Sequence, residues 1–130
     1  MATADVAKKL VEFCRRGEFK EAIDALYGPD IVSVEAFEMP ASATGPRMPR
    51  EMRGIQQVRG KTEWWEANHT VNSASVSGPF VSVDKFAVIF EMDITVKATG
   101  KGMKMKEVAI YTVAGDKIVH EEFLYDASGQ

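Results

Sequence analysis

The sequence predicts an α+β domain, with an antiparallel sheet and its helices gathered on one face. Three observations predict it. Apolar residues recur at helical spacing near the N-terminus and again over 55–69, whereas from Thr70 onward the pattern has the two-residue period of strands. The turn sequences Thr99-Gly100-Lys101-Gly102 and Gly115-Asp116 join the last three strands as hairpins. The 130 residues, 45% hydrophobic and 27% charged, suit one core, so 1–130 reads as a single domain.

The elements follow in order. Thr3 caps a first helix whose stripe is Val6, Leu10, Phe13 and Cys14, and Gly17 ends it. Phe19, Ala22, Ile23, Leu26 and Tyr27 share a face of a second, shorter helix, which Gly28-Pro29-Asp30 stops. Ile31–Phe37 is rich in β-branched residues and reads as a strand. Glu38–Arg53, with three prolines and three methionines, has no clean period. It reads either as a surface connection or as a flap over a pocket, with Met39, Met48 and Met52 as adaptable apolar contacts. Ile55, Val58, Thr62, Trp65 and His69 then mark one face of a third helix. Trp64 projects about 100° from Trp65. Strands fill the remainder, with Gly78-Pro79 as a break or bulge.

The strand Phe86–Ala98 alternates cleanly, with Phe86, Val88, Phe90, Met92, Ile94 and Val96 on the inner side. A four-residue turn over 99–102 sets Phe90 opposite Tyr111 and Met92 opposite Ala109. A two-residue turn at Gly115-Asp116 sets Tyr111 opposite His120, Ala109 opposite Glu122 and Glu107 opposite Leu124. That pairing puts Glu107, Tyr111, His120 and Glu122 together on an otherwise apolar face. The opposite face mixes charged residues with Ile89, Val108, Ile110, Val119, Phe123 and Tyr125, which is too apolar for plain solvent and predicts a homodimer through it.

Composition removes several classes of function. A net charge of −3 argues against general nucleic-acid binding, which needs a basic face. No apolar run approaches a membrane span, and Asp5, Lys8 and Lys9 interrupt any signal-peptide core, so the expected location is cytoplasmic. The single Cys14 has no disulfide partner within the chain and reads as a small buried hydrophobe. Two histidines with scattered acids do not show metal-ligand spacing, and no glycine-rich phosphate loop precedes a helix, so neither metal nor nucleotide cofactor is expected.

The helices over Leu10–Phe13 and Phe19–Tyr27, the Tyr27-Gly28-Pro29-Asp30 run into a strand, the segment Gly54–Trp65 and the ending Asp116–Asp126 together resemble the nuclear transport factor 2-like superfamily, and within it the SnoaL-like proteins. The resemblance implies a cone: a curved antiparallel sheet wrapped by three N-terminal helices around a pocket. The superfamily hosts isomerases, cyclases, dehydratases, epoxide hydrolases and non-catalytic binders, so it implies no single activity. No arginine lies in the expected strands, which speaks against an epoxide hydrolase site. A carboxylate base beside a hydroxyl donor, as in steroid isomerase-like members, matches Glu107 or Glu122 with Tyr111 in kind. Histidines with an acid, as in dehydratase-type members, match His69 and His120 only if the third helix ends over the pocket.

The candidate catalytic residues are therefore His120, Glu122, Glu107 and Tyr111, and the candidate ligand contacts Trp65, Phe90, Met92 and His69. Desolvation raises a carboxylate's pKa towards neutrality, where it serves as a general base or acid. The expected chemistry is cofactor-free proton transfer on a small apolar carbonyl compound. Two other readings stand beside it: ligand binding without chemistry, and a structural or dimerisation module in which these polar groups only satisfy one another, His120 and Glu122 with each other or with Arg59.

Overall fold

The computed structural model describes residues 3–41 and 47–125. Helix α1 spans Thr3–Arg15 and α2 Phe19–Leu26. Strand β1 spans Tyr27–Val34, the short β2 Glu51–Arg53, and helix α3 Ile55–Asn68. Strands β3 (His69–Val81), β4 (Lys85–Val96), β5 (Lys101–Ala114) and β6 (Lys117–Leu124) follow. The strands form one curved, open sheet in the order β2-β1-β6-β5-β4-β3. All neighbours are antiparallel except β1 and β6, which run parallel, so the sheet is mixed. Among the described residues no helix is long and apolar enough to cross a membrane.

Val6, Leu10 and Cys14 are buried at four-residue intervals, with Ala7 and Val11 beside them, so one stripe of α1 packs into the core. That core holds Phe86, Val88, Ala109, Tyr111 and Ile118 of the sheet and Ala22, Ile23 and Leu26 of α2. Gly17, at φ +71°, closes α1, where backbone bonds reach the Cys14 and Phe13 carbonyls. The chain passes from α2 straight into β1 at Tyr27, so Gly28-Pro29-Asp30 lies within a strand that starts earlier than expected. Helix α3 is the exception to close packing. Val58 is its one buried residue, and the space left between α3 and the sheet is the cavity described below.

Two registers differ from expectation, with opposite consequences. In the β4–β5 hairpin Val96 pairs with Lys101, so the turn is 97–100 and Phe90 faces Glu107 rather than Tyr111. This shift moves pairs along the strands but keeps every side chain on its expected face. In β5–β6 the pairing begins as expected, with Val113 opposite Ile118, but Thr112 then faces His120. Val119 is the extra residue of a β-bulge. From that point Tyr111 faces Glu121, Ala109 faces Phe123 and Ile110 faces Glu122. The bulge exchanges the two faces of β6: Glu121 and Phe123 turn inward, and His120 and Glu122 turn outward.

Candidate functional site

A cavity of about 470 Å³ lies between the inner sheet face and α3. Tyr27, Phe90, Met92, Ile94, Met103, Met105, Glu107, Tyr111, Glu121 and Phe123 line it from the strands, and Lys61, Thr62, Trp64 and Trp65 from α3. Leu10, Cys14, Phe19, Ala22 and Ile23 close the α1–α2 side. Phe37, Met39, Met48 and Pro49 form part of the rim. Met39 and Met48 exchange backbone hydrogen bonds of 2.9 and 2.8 Å, an isolated antiparallel bridge beside the cavity. Met52 is not among the lining residues.

A continuous polar chain runs along one wall. Tyr27 O–H donates to Glu121, and Ser33 Oγ donates to Glu121 Oε2 at 2.7 Å. Lys61 Nζ donates to Ser33 Oγ at 2.7 Å and to Glu35 Oε2 at 2.6 Å. Tyr125 O–H donates to Glu35 Oε1 at 2.7 Å. Ser33 is fully buried and Glu121 only 2% exposed, so these bonds replace the water both groups gave up. Burial raises the Glu121 carboxyl, while the Lys61 charge and the bonds from Tyr27 and Ser33 oppose that rise. Lys61 also lies 5.3 Å from the Phe123 ring centroid, a cation–π contact.

Glu107 is different. No hydrogen bond reaches its carboxylate among the described residues, and burial together with the Glu35 charge pushes its pKa up to about 7, against the pull of Lys61. Tyr111, four residues along β5, is 2% exposed and stacked on Phe86 at 4.8 Å. Among the described residues its hydroxyl has no hydrogen-bond partner, yet no fully enclosed side-chain polar atom there lacks one. The hydroxyl therefore meets the open volume of the cavity. Glu107 and Tyr111 thus present to the cavity an acid–base group and a hydroxyl without hydrogen-bond partners among the described residues.

Of the candidate catalytic residues, Glu107 and Tyr111 line the cavity, whereas His120 and Glu122 do not, because the bulge at Val119 turns them to the outer face. Arg59 joins neither: it binds Asp24 at 3.0 Å and Glu63 at 2.7 Å on the surface. Trp65, Phe90, Met92 and His69 all line the cavity. His69 is the first residue of β3, stacked on Trp65 at 4.7 Å, with Nδ1 2.8 Å from the Trp65 carbonyl. A carbonyl only accepts, so Nδ1 carries the proton in the neutral ring. Cys14 lines the cavity as a neutral thiol, pushed up to about 12 by burial and the Glu121 charge. Among the described residues no three His, Cys, Asp or Glu side chains converge as a metal site.

Sequence reasoning missed Glu121, Lys61, Glu35, Ser33 and Tyr27. One signal was available for Glu121. The expected inner set after Ile118 is His120, Glu122 and Leu124, while the expected outer set is Val119, Glu121, Phe123 and Tyr125. The outer set is the more apolar of the two, which is the mark of a strand whose phase changes midway.

A curved open sheet, three helices and an apolar cavity bearing acids on the sheet define a nuclear transport factor 2-like cone. Within that class the chain belongs to the SnoaL-like domain family, whose profile matches residues 1–125. A solved structure from Mesorhizobium loti, provisionally described as a SnoaL-like polyketide cyclase, is 38% identical, with a TM-score of 0.86 over 96% of this chain and 100% of that one. A nuclear transport factor 2-like protein from Burkholderia thailandensis is 17% identical, with a TM-score of 0.75 over 97% and 92% of the two chains. A provisionally assigned isomerase from Bacillus subtilis is 13% identical, with a TM-score of 0.70 over 95% and 86%. No curated protein matches the chain.

Proposed function

We propose that this protein binds a small apolar carbonyl compound in the cavity and moves a proton on it, with Glu107 as the base and then the acid. The observation that carries this reading is the Glu107 carboxylate: it is desolvated, free of hydrogen bonds among the described residues and held at about 7. At neutral pH such a group is present in both protonation states, as a group that must accept and return a proton requires. The Tyr111 hydroxyl supplies a hydrogen bond to a ligand oxygen. Tyr111 and Glu107 lie about 13 Å apart along the strand backbone, so their side chains must lean towards a ligand lying between them. The cyclase and isomerase descriptions of two relatives name reactions of this general kind. His120 and Glu122 have no part in it.

A generic probe tests the reading without knowledge of the natural substrate. Nitrobenzisoxazole loses its ring C–H proton to a base; the C–H electrons form a nitrile, the N–O bond breaks, and a coloured phenolate leaves. Turnover is expected to rise with pH through about 7, the range in which Glu107 ionises. Glu107→Gln is expected to remove about 100-fold or more of it. Saturable binding of the probe with no such turnover would favour the alternative, a binding module without chemistry, which the aromatic and methionine lining equally supports.

We also propose a homodimer through the outer sheet face. Ile89, Val108, Ile110 and Val119 remain partly exposed there, while Phe123 and Tyr125, expected on that face, line the cavity instead. Sedimentation should give about twice the 14.4 kDa chain mass, falling to the monomer when Ile110 and Val119 are both changed to Lys. A monomer in the unaltered protein would end this proposal.

A further inference from the structure

Charge in the cavity does not balance. The carboxyl and ammonium side chains lining it are Glu35, Glu66, Glu107 and Glu121 against Lys61 and Lys106, beside the imidazole of His69. Two of these are matched outside it: Glu66 lies 3.7 Å from Lys20, and Lys106, 65% exposed, lies 3.9 Å from Glu91. Among these groups the interior therefore holds three carboxyl groups and one ammonium, so each carboxyl that ionises beyond the first lacks a matching ammonium charge. Their bonds are just as unequal. Glu35 accepts from Lys61 and Tyr125, and Glu121 from Tyr27 and Ser33. Glu107 accepts from no one among the described residues. An uncompensated carboxylate in an apolar cavity is costly, and an incoming cation relieves it as a proton does.

The walls suit the same kind of guest. Phe90, which pairs with Glu107 across the strands, and Trp64, Trp65, Tyr111 and Phe123 present aromatic surface to the cavity, and aromatic faces attract organic cations. A metal ion is a poor fit, because no three ligating side chains converge among the described residues. The volume is within the range of pockets that bury small organic ligands, about 300–1,000 Å³.

We propose that the cavity is a receptor for apolar amines, with the ammonium group paired to the Glu107 carboxylate and the hydrocarbon part against the aromatic wall. Such a ligand supplies the missing positive charge and the missing donor together. The groups that set the charge around Glu107 are Glu35 after β1, Lys61 on α3, Glu121 on β6 and the Tyr111 hydroxyl on its own strand. Pairing with an ammonium favours ionised Glu107, so binding releases a proton wherever Glu107 starts protonated. The proposal shares Glu107 with the proton-transfer reading but none of its chemistry.

Calorimetry with phenethylamine, and with phenethyl alcohol as its uncharged counterpart, tests the proposal. At about pH 8 the amine, still cationic, is expected to bind at least about tenfold more tightly than the alcohol. That preference should shrink as the pH falls through about 7 while binding of the alcohol stays constant. Titrations in buffers of different ionisation heat should show net proton release near that pH. Glu107→Gln should bind the two compounds alike. Should that variant fold poorly, the wild-type pH series is sufficient: a preference that does not weaken below about pH 7 counts against the pairing. Equal binding of amine and alcohol at pH 8, or a preference that survives Glu107→Gln, would overturn the proposal. Nitrobenzisoxazole turnover is read separately, so amine binding and proton transfer can fail independently.

Discussion

Glu121→Ala is expected to cost about 2–4 kcal/mol of stability, while Glu122→Ala, one residue away, should change it by less than about 0.5. The bulge at Val119 is what separates these two acids. Glu121 sits inside, accepting from Tyr27 and from Ser33 at 2.7 Å. Removing it leaves a buried phenol and a fully buried hydroxyl without their acceptor, at about 1–3 kcal/mol for each group left unmatched. Relief of the buried carboxylate's own desolvation offsets part of that loss, hence the range. Glu122 stands on the outer face opposite Ile110, with no such contact among the described residues. Urea unfolding midpoints at unchanged slope are the measurement. Similar costs for the two variants would mean that β6 has no bulge.

Glu107→Gln should act in the opposite sense. A pKa raised from 4.5 to about 7 means the folded protein binds the Glu107 proton more tightly than the unfolded chain does. The associated stability is fully present below about 4.5 and is lost as pH rises through about 7. Above that range the ionised carboxylate weakens the fold by about 3 kcal/mol. Glutamine keeps the shape and cannot ionise. The variant should therefore match the wild type near pH 4.5 and exceed it above pH 7, in thermal or urea unfolding across that range. A stability difference that does not change with pH would show that Glu107 is well solvated. The variant expected to be the more stable at alkaline pH is also the one expected to lose turnover, the exchange anticipated where a strained group serves function.

Much of the fold is legible in the sequence. The α1 stripe, the inner side of β4 and the Gly115-Asp116 turn follow from period and turn chemistry alone, because each is repeated by several neighbouring residues. Glu107 and Tyr111 reach the inner face even though the β4–β5 turn lies two residues earlier than expected, since an even displacement preserves the face. The inward turn of Glu121 is less legible. His120, Glu121 and Glu122 are consecutive polar residues, so either phase of the strand places an acid on the inner wall, and the acid by itself does not report which phase is taken. Lys61 escapes notice for another reason. On a helix that buries only Val58 there is little apolar stripe to point inward, and what Lys61 reaches, Ser33 and Glu35, is 28 and 26 residues away in the chain.

The bulge in β6 has a consequence beyond this site. The strand carries two interleaved sets of side chains, one with Glu121 and Phe123, the other with His120 and Glu122, and a single surplus residue decides which set the interior receives. The chemistry of that wall is therefore encoded in length as well as in residue type. A family built on such strands can exchange one functional surface for another through an insertion or deletion of one residue, with no substitution in either set.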